Sequence, residues 1–332
     1  VTLFRTKFLL ATLTLSSWAL LLAMPQIVST PIRTDLSFGR ADQALERIDG
    51  ILSQNASDAE AHHLRCRVLY QEQRWDDAIA ACQQAVALDP SSSEYHLWLG
   101  RAFGEKADRV SFIQAYKLAR RVRGEFETAV RLNPRSVEAL SDLGEFDVDA
   151  PGIVGGGLAK AETVAAQLDA LSPAAAHQLR AGIAEQRKDY ALAENEFKEA
   201  ITASTTPARA WMDLASFYRR RNRIDDMVAA VHAGAALDRH PHDSYSSAAL
   251  VDGASLLART NSEPDMAIDL LRQYLASPAP AEEAPAFAVR AQLARLLLKQ
   301  GDQEGAEREI AQVHALASGY RDAQLPATNT GR

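Results

Sequence analysis

Cysteine is close to absent from this chain. Cys66 and Cys82 are the only two among 332 residues, and they form no CxxC pair, so a disulfide framework is excluded. They are either two small packing residues or a single bridge within one hairpin, which export to an oxidising space would permit. Aromatic residues make up only 7% of the chain, and cations are outnumbered, giving a formal charge of −7. Such a balance suits a soluble protein and argues against general nucleic-acid binding. Also missing are an HExxH pair, a Ser/His/Asp context and any cofactor fingerprint, so the sequence gives no reason to expect an enzyme or a cofactor.

Only one long uncharged run occurs, from Phe8 to Met24, preceded by Arg5 and Lys7 and closed by Pro25. A basic start and an apolar core predict a segment of about residues 1–29 that directs export. Small residues at Ser29 and Thr30 offer a cleavage site without an A-x-A motif. The run is also near bilayer-spanning length, so an uncleaved anchor stays open beside cleavage. The expected location is the periplasm, or the inner membrane facing it. Removing these residues takes two positive charges with them and lowers the formal charge from −7 to −9.

What the chain does contain is alanine at helical spacing, repeated. A triplet with offsets of four and three residues recurs eight times: Ala44-Ile48-Ile51, Ala78-Cys82-Ala85, Val122-Phe126-Ala129, Ala161-Ala165-Leu168, Ala193-Phe197-Ala200, Met227-Val231-Gly234, Ala267-Leu271-Tyr274 and Ala306-Ile310-Val313. The intervals are 34, 44, 39, 32, 34, 40 and 39 residues. A period of this size with helical spacing inside it predicts stacked helical hairpins that bury a core between neighbours.

The unit over residues 58–90, DAEAHHLRCRVLYQEQRWDDAIAACQQAVALDP, places Cys66 at a small site and Leu69 and Trp75 at large apolar ones. Ala78 and Ala85 form a small pair, and Pro90 closes the unit. This resembles a tetratricopeptide repeat (TPR). The resemblance covers roughly residues 40–318 and implies an all-α, right-handed solenoid of about seven hairpins, with no catalytic role. Residues 30–57 are then a short linker (30–39) and a half-repeat helix, 58–318 the solenoid, and 319–332 a disordered tail. A long helix after KADR and an APG-I-x-GGG loop also resemble a group of exported bacterial TPR proteins without assigned activity.

In TPRs the first helices line a concave groove. The resemblance therefore points His63, Arg67, Tyr70, Leu97, Arg101, Met212, Ser216, Arg219 and Arg220 toward a protein or peptide partner. Arg67 and Arg101 would form a ladder able to hold carboxylates. The places of the chaperone-tail clamp hold His63 and Arg67, then Trp98, then Glu138 and Asp142, so that ligand is not implied.

Four local features need a reading of their own. The ten extra residues before Val122 keep a 3-4 apolar spacing from Phe112 to Ala129 and predict a backward extension of the second helix. The loop Gly152, Ile153, Val154, Gly155, Gly156 lacks the Lys-Ser/Thr of a P-loop and reads as a structural turn or a partner-contact loop. Asp147 and Asp149 begin like a calcium loop, but Pro151 and Leu158 break it, so they read as solvated acids. His240 and His242 beside Asp243 read as a solvated turn and not a metal site, while His62, His96 and His177 read as packing at the core edge.

Two basic clusters stand out in an acidic chain: Lys106, Arg109, Lys117, Arg120, Arg121 and Arg123, and then Arg219, Arg220, Arg221 and Arg223. Each is either a helix face balanced by nearby acids or a contact for an acidic partner or lipid headgroups. The functional expectation is a non-catalytic scaffold in the cell envelope, with a membrane-tethered assembly factor as the alternative. An enzyme built on the glycine loop is the weakest reading.

Overall fold

A computed structural model describes residues 30–237 and 244–322. The apolar run of Phe8–Met24, His240, His242, Asp243 and the tail from residue 323 onward lie outside the described residues. Sixteen α-helices follow one another: α1 (30–37), α2 (Ala41–Gln54), α3 (Ala59–Gln71), α4 (Trp75–Leu88), α5 (Ser93–Ala107), α6 (Phe112–Leu132), α7 (Val137–Asp149) and α8 (Leu158–Leu168). The second half comprises α9 (Pro173–Gln186), α10 (Tyr190–Ala203), α11 (Pro207–Arg220), α12 (Ile224–Ala235), α13 (Ser244–Thr260), α14 (Pro264–Leu275), α15 (Ala286–Lys299) and α16 (Gln303–Leu316). Each odd helix packs against the even helix after it, giving eight hairpins stacked in sequence.

The hairpins are built by local rules repeated along the chain. Asp58, Ser92, Ser136, Ser172, Asp189 and Asp302 each cap a helix by accepting the backbone N–H three residues on. At the other end, a left-handed residue turns the chain two positions before the second helix: Gly39, Gln73, Lys188, Asn222 and Gly301. The following N–H then closes on a carbonyl five residues back, as Arg74 does to Leu69 and Arg223 to Tyr218, both at 2.9 Å. The α5–α6 and α7–α8 turns depart from this pattern, and they fall within the intervals of 44 and 39 residues.

The predicted triplets lie at helix contacts. All but Ile51 and Ile310 are buried, and those two pack half-buried against the core. Gly100 and Gly144 serve the same close approach: a Cβ at either would fall within about 2.5 Å of Phe126 or Leu179. The extra residues before Val122 do lengthen α6, which runs 21 residues against 14 for α4 and α10.

Two expectations change, and one open alternative is decided. The linker placed at 30–39 is helical over 30–37, with Ile32 and Leu36 fully buried, so the half repeat is a complete hairpin. The eight helical residues described there make too few turns to show a period. Cys66 and Cys82 are bonded across the α3–α4 hairpin, their Cα atoms 5.1 Å apart, and so are not free packing residues. The tail expected from residue 319 is docked through Tyr320, which is buried against Phe287 at a ring distance of 4.8 Å.

That docking belongs to a larger contact. The stack curves until its ends meet, with Phe287, Ala291, Val313 and Tyr320 sharing one apolar cluster with Ile32, Leu36, Leu64 and Val68. Gly39 leaves no room for a Cβ against the backbone of Pro285–Ala286. Gln71 donates to the carbonyl of Glu282 at 2.9 Å, and Ser318 donates to Asp42. The Pro/Ala stretch at 277–285 is therefore the closing piece, fixed by the Tyr274 hydroxyl, which donates to Ala284 O at 2.6 Å and accepts from Ala281 N at 2.9 Å.

Candidate functional site

Curvature places the odd helices on the inside, around a cavity of about 1510 Å³. Because each odd helix packs on both flanks, only a narrow stripe of it stays open. The stripes follow helical spacing: Trp98, Arg101 and Glu105 on α5; Glu138, Asp142, Glu145 and Asp149 on α7; Gln178, Gly182 and Glu185 on α9; Arg209, Asp213, Ser216 and Arg220 on α11.

Polar rungs run between neighbouring stripes. Arg101 holds Asp142 with two hydrogen bonds, the shorter 2.6 Å from Nε, and Gln178 donates to Asp213 at 2.6 Å. Gln186 reaches Asp149 and Arg220 reaches Glu185 across the same gaps. An aromatic wall stands at one side, where Tyr70 meets both Trp75 and Trp98 edge-on at 5.2 and 5.4 Å. Arg67 and Arg101 lie over the Trp98 ring, about 5 Å from its centre.

The expected groove residues divide accordingly. Tyr70, Arg101, Ser216 and Arg220 line the cavity. His63, Leu97 and Met212 do not, since all three are buried in the packing between helices. They sit beside the open stripe, where a first helix is covered by its neighbours. His63 bonds Glu94 at 3.1 Å and stacks on Tyr95, and burial lowers its pKa. Arg219 is half-buried and lies outside the cavity lining.

Arg67 is nearly covered, its side chain 11% exposed, and it is engaged by the protein itself. Its guanidinium forms a bidentate pair with Glu282 and a further bond to Glu94 at 3.0 Å. The arginine ladder thus exists, but acids of this chain already occupy it. Trp98, noted in the sequence only as breaking a clamp pattern, proves to be central to the groove.

Arg101, Arg109 and Arg220 are paired, Arg209 and Arg221 make no ion pair among the described residues, and the lining still keeps an excess of acids. Glu138, Glu145, Asp213 and Glu283 have no ion pair among the described residues. Glu145 opens onto the groove yet is walled in by the curved stack. That desolvation, together with Asp142, Asp213 and Asp149, pushes its pKa up to about 7 against the pull of Arg209. Desolvation likewise raises Asp213 to about 6, opposed by Arg209 and reinforced by Asp252.

The glycine loop is built for packing. Its 3-10 turn runs Gly152–Val154, and Gly155 follows in a left-handed conformation against Arg123. A Cβ on Gly156 would strike the carbonyl of Ala150. Ile153 alone projects, 73% exposed. Asp147, read as a solvated acid, is buried beside Arg123 and Lys160, while Asp149 is exposed. Of the three histidines placed at the core edge, His96 is buried and bonds Glu125 at 2.6 Å, and His177 is half-buried against Glu196. His62, also half-buried, bonds the Ala56 carbonyl.

The tetratricopeptide repeat family model matches residues 35–102. Residues 35–102 therefore carry tetratricopeptide repeats, and the hairpins stacked over the rest of the described residues share that fold. The yeast Tom70 crystal structure superposes on 95% of this chain with a TM-score of 0.54 and 16% identity. This chain spans only 63% of that one, and the likeness is one of fold. A tetratricopeptide repeat protein of Parabacteroides merdae matches at TM-score 0.47 and 12% identity over 82% of this chain and 98% of its own. A thermophilic one from Thermus thermophilus matches at 0.43 and 20% over 70% and 99%. No curated protein sequence matches the chain.

Proposed function

We propose that this tetratricopeptide repeat protein is a non-catalytic scaffold that holds an extended segment of a partner protein in its closed groove. The observation that carries this is the cavity itself. It is large, open, and lined from several consecutive hairpins by aromatic faces and polar rungs. Its polar and aromatic groups lie in stripes along the first helices, a geometry that reads a chain laid across successive repeats. Because Arg101, Arg109 and Arg220 are held by acids of this chain and carboxylates outnumber cations in the lining, the segment held is one with basic side chains.

We place this activity in the cell envelope, with residues 1–29 acting as an export signal or a retained anchor. The mass of the mature N-terminus in native membranes separates the two. A retained segment makes the protein a membrane-tethered assembly factor. The glycine loop lends no support to a catalytic alternative, since Gly155 and Gly156 are taken up by packing.

Photo-crosslinking tests the groove. A benzophenone residue at Ser141 or at Ser216, both in the lining, should capture the same partner in cells, whereas one at exposed Glu307 should not. Triple replacement of Glu138, Glu145 and Asp213 by their amides should weaken that capture. Equal capture from Glu307 would sink the groove assignment.

A further inference from the structure

The extension of α6 has no use in the groove. Its first turns carry two of the three most exposed large apolar side chains described, Phe112 at 84% and Ile113 at 69%, and neither belongs to the cavity lining. Buried Val122, Phe126 and Ala129 mark the inward face of α6. Ile113, Lys117, Arg120 and Gly124 recur at i, i+4, i+7 and i+11 on the opposite face, with Phe112 and Tyr116 alongside.

Charge on this segment is of one sign. From Arg109 to Gly124 there is no acid, in a chain whose net charge is −7. At the two ends of this stretch the cations are matched: Lys106 with Asp76, Arg109 with Glu105, Arg123 with Glu127. Lys117, Arg120 and Arg121 make no ion pair among the described residues, although Arg121 lies over the Phe103 ring at 3.9 Å. A projecting helix end with bulky apolar residues at its tip, and unpaired cations one to two turns behind, suits a surface with an apolar interior and anionic headgroups. A concave acidic protein partner would need the apolar tip to meet a matching pocket. A bilayer needs none.

We propose that the N-terminal end of α6 docks on an anionic lipid surface, Phe112 and Ile113 entering the headgroup–acyl boundary while Lys117, Arg120 and Arg121 hold the phosphates. The contact is separate from the apolar run Phe8–Met24, and it would orient the ring on the membrane without occupying the groove. Ile153, in the loop packed against Arg123, is a further exposed apolar side chain beside the same helix.

A site-specific readout keeps the N-terminal run from confusing the result. The full chain carrying Phe112→Cys is labelled with an environment-sensitive fluorophore, the native cysteines being buried and bonded. It is then mixed with phosphatidylcholine vesicles, with or without phosphatidylglycerol. The emission should shift to the blue only when phosphatidylglycerol is present, and a label at Glu307→Cys should not respond. At roughly fivefold per cation near an anionic surface, changing Lys117, Arg120 and Arg121 to Gln should raise the lipid needed on the order of a hundredfold. A label at 112 that stays wet on anionic vesicles, or responds equally to phosphatidylcholine alone, overturns the proposal. A response to soluble polyglutamate in place of vesicles assigns the site to an acidic protein and overturns it too.

Discussion

The contacts between successive hairpins and the contact between the two ends of the chain use similar side chains but differ in what specifies them. Between neighbours, Ala, Leu and Phe meet at intervals near the repeat period, as when Phe103 is buried with Val122, Phe126 and Leu140. At the closure, Phe287 and Tyr320 meet Ile32 and Leu64, and Arg67 pairs with Glu282 at a sequence separation of 215. The first kind of contact is written into every repeat. The second exists only once curvature has summed correctly over eight hairpins. A solenoid held by neighbours alone gains little cooperativity between its ends, so the closure is what turns this stack into one unit.

Truncating one aromatic in each region should break that comparison most sharply. Phe103→Ala and Phe287→Ala each remove a fully buried ring, at a cost of about 3–5 kcal/mol. In hydrogen exchange, the first should raise exchange in α5 and the hairpins beside it. The second should free α1–α3 and α15–α16 together while the middle repeats stay protected. Identical exchange patterns in the two variants would mean that the ends do not form a separable seam.

Reducing the Cys66–Cys82 bond probes the same boundary from the repeat side. A loop of about 15 residues contributes roughly 3 kcal/mol in the chain-entropy account, and the bond joins α3, a seam helix, to α4. The Cys66→Ala/Cys82→Ala variant should lower the urea midpoint accordingly. Its early exchange should start in the α3–α4 hairpin and then reach α15. An unchanged midpoint would show the bridge to be absent from the folded protein in solution.

A smaller effect is expected from the seam's polar lock. Glu282→Gln leaves Arg67 with Glu94 as its remaining acid, in a site where both partners are largely covered. The loss should be about 1.5–3 kcal/mol, the range for a hydrogen bond to a charged group. It should weaken with added salt far less than the loss from an exposed pair such as Arg308–Glu304. A cost as salt-sensitive as the exposed pair's would show that the seam is open to water.

These contrasts also explain which parts were readable in advance. The hairpins, the lengthened α6 and the buried triplets followed from period and composition, because each depends on residues close in sequence. Closure did not. Its partners lie some two hundred residues apart, and the stretch that makes it, SPAPAEEAP, has the composition of a linker. The cavity lining was legible to within one helical position: Arg101 and Arg220 line it, whereas Leu97 and Met212 are buried one residue short of Trp98 and Asp213. On a helix packed along both flanks, a shift of one residue carries a side chain from open stripe to buried flank. The polar 3-4 spacing of Glu138, Asp142, Glu145 and Asp149 was the signal that could have found that stripe.

The finest distinction between seam and groove is one of sign in their pH response. At the seam side, Glu94 is held at about 2, chiefly by its hydrogen bond to His63, and burial lowers His63 itself. Folded values below the unfolded ones mean stability that is present at neutral pH and lost on acidification, first as pH falls below the ordinary histidine value of 6.5. In the groove the sign reverses. Glu145 has a folded pKa of about 7 against the ordinary glutamate value of 4.5, so its contribution is intact below 4.5 and is lost as pH rises through 7. Glu145→Gln should therefore make the protein relatively more stable at pH 8 than at pH 5, measured by urea midpoints across that range. Because Glu145 is open to the groove, solvent screens the effect and it should be the smallest of the four. A basic segment bound in the groove would relieve the same crowding of carboxylates. Binding should then release protons near pH 7 from the wild type and fewer from Glu145→Gln, which calorimetry in buffers of different ionisation enthalpy can read. Equal proton release from both would remove Glu145 from the partner contact.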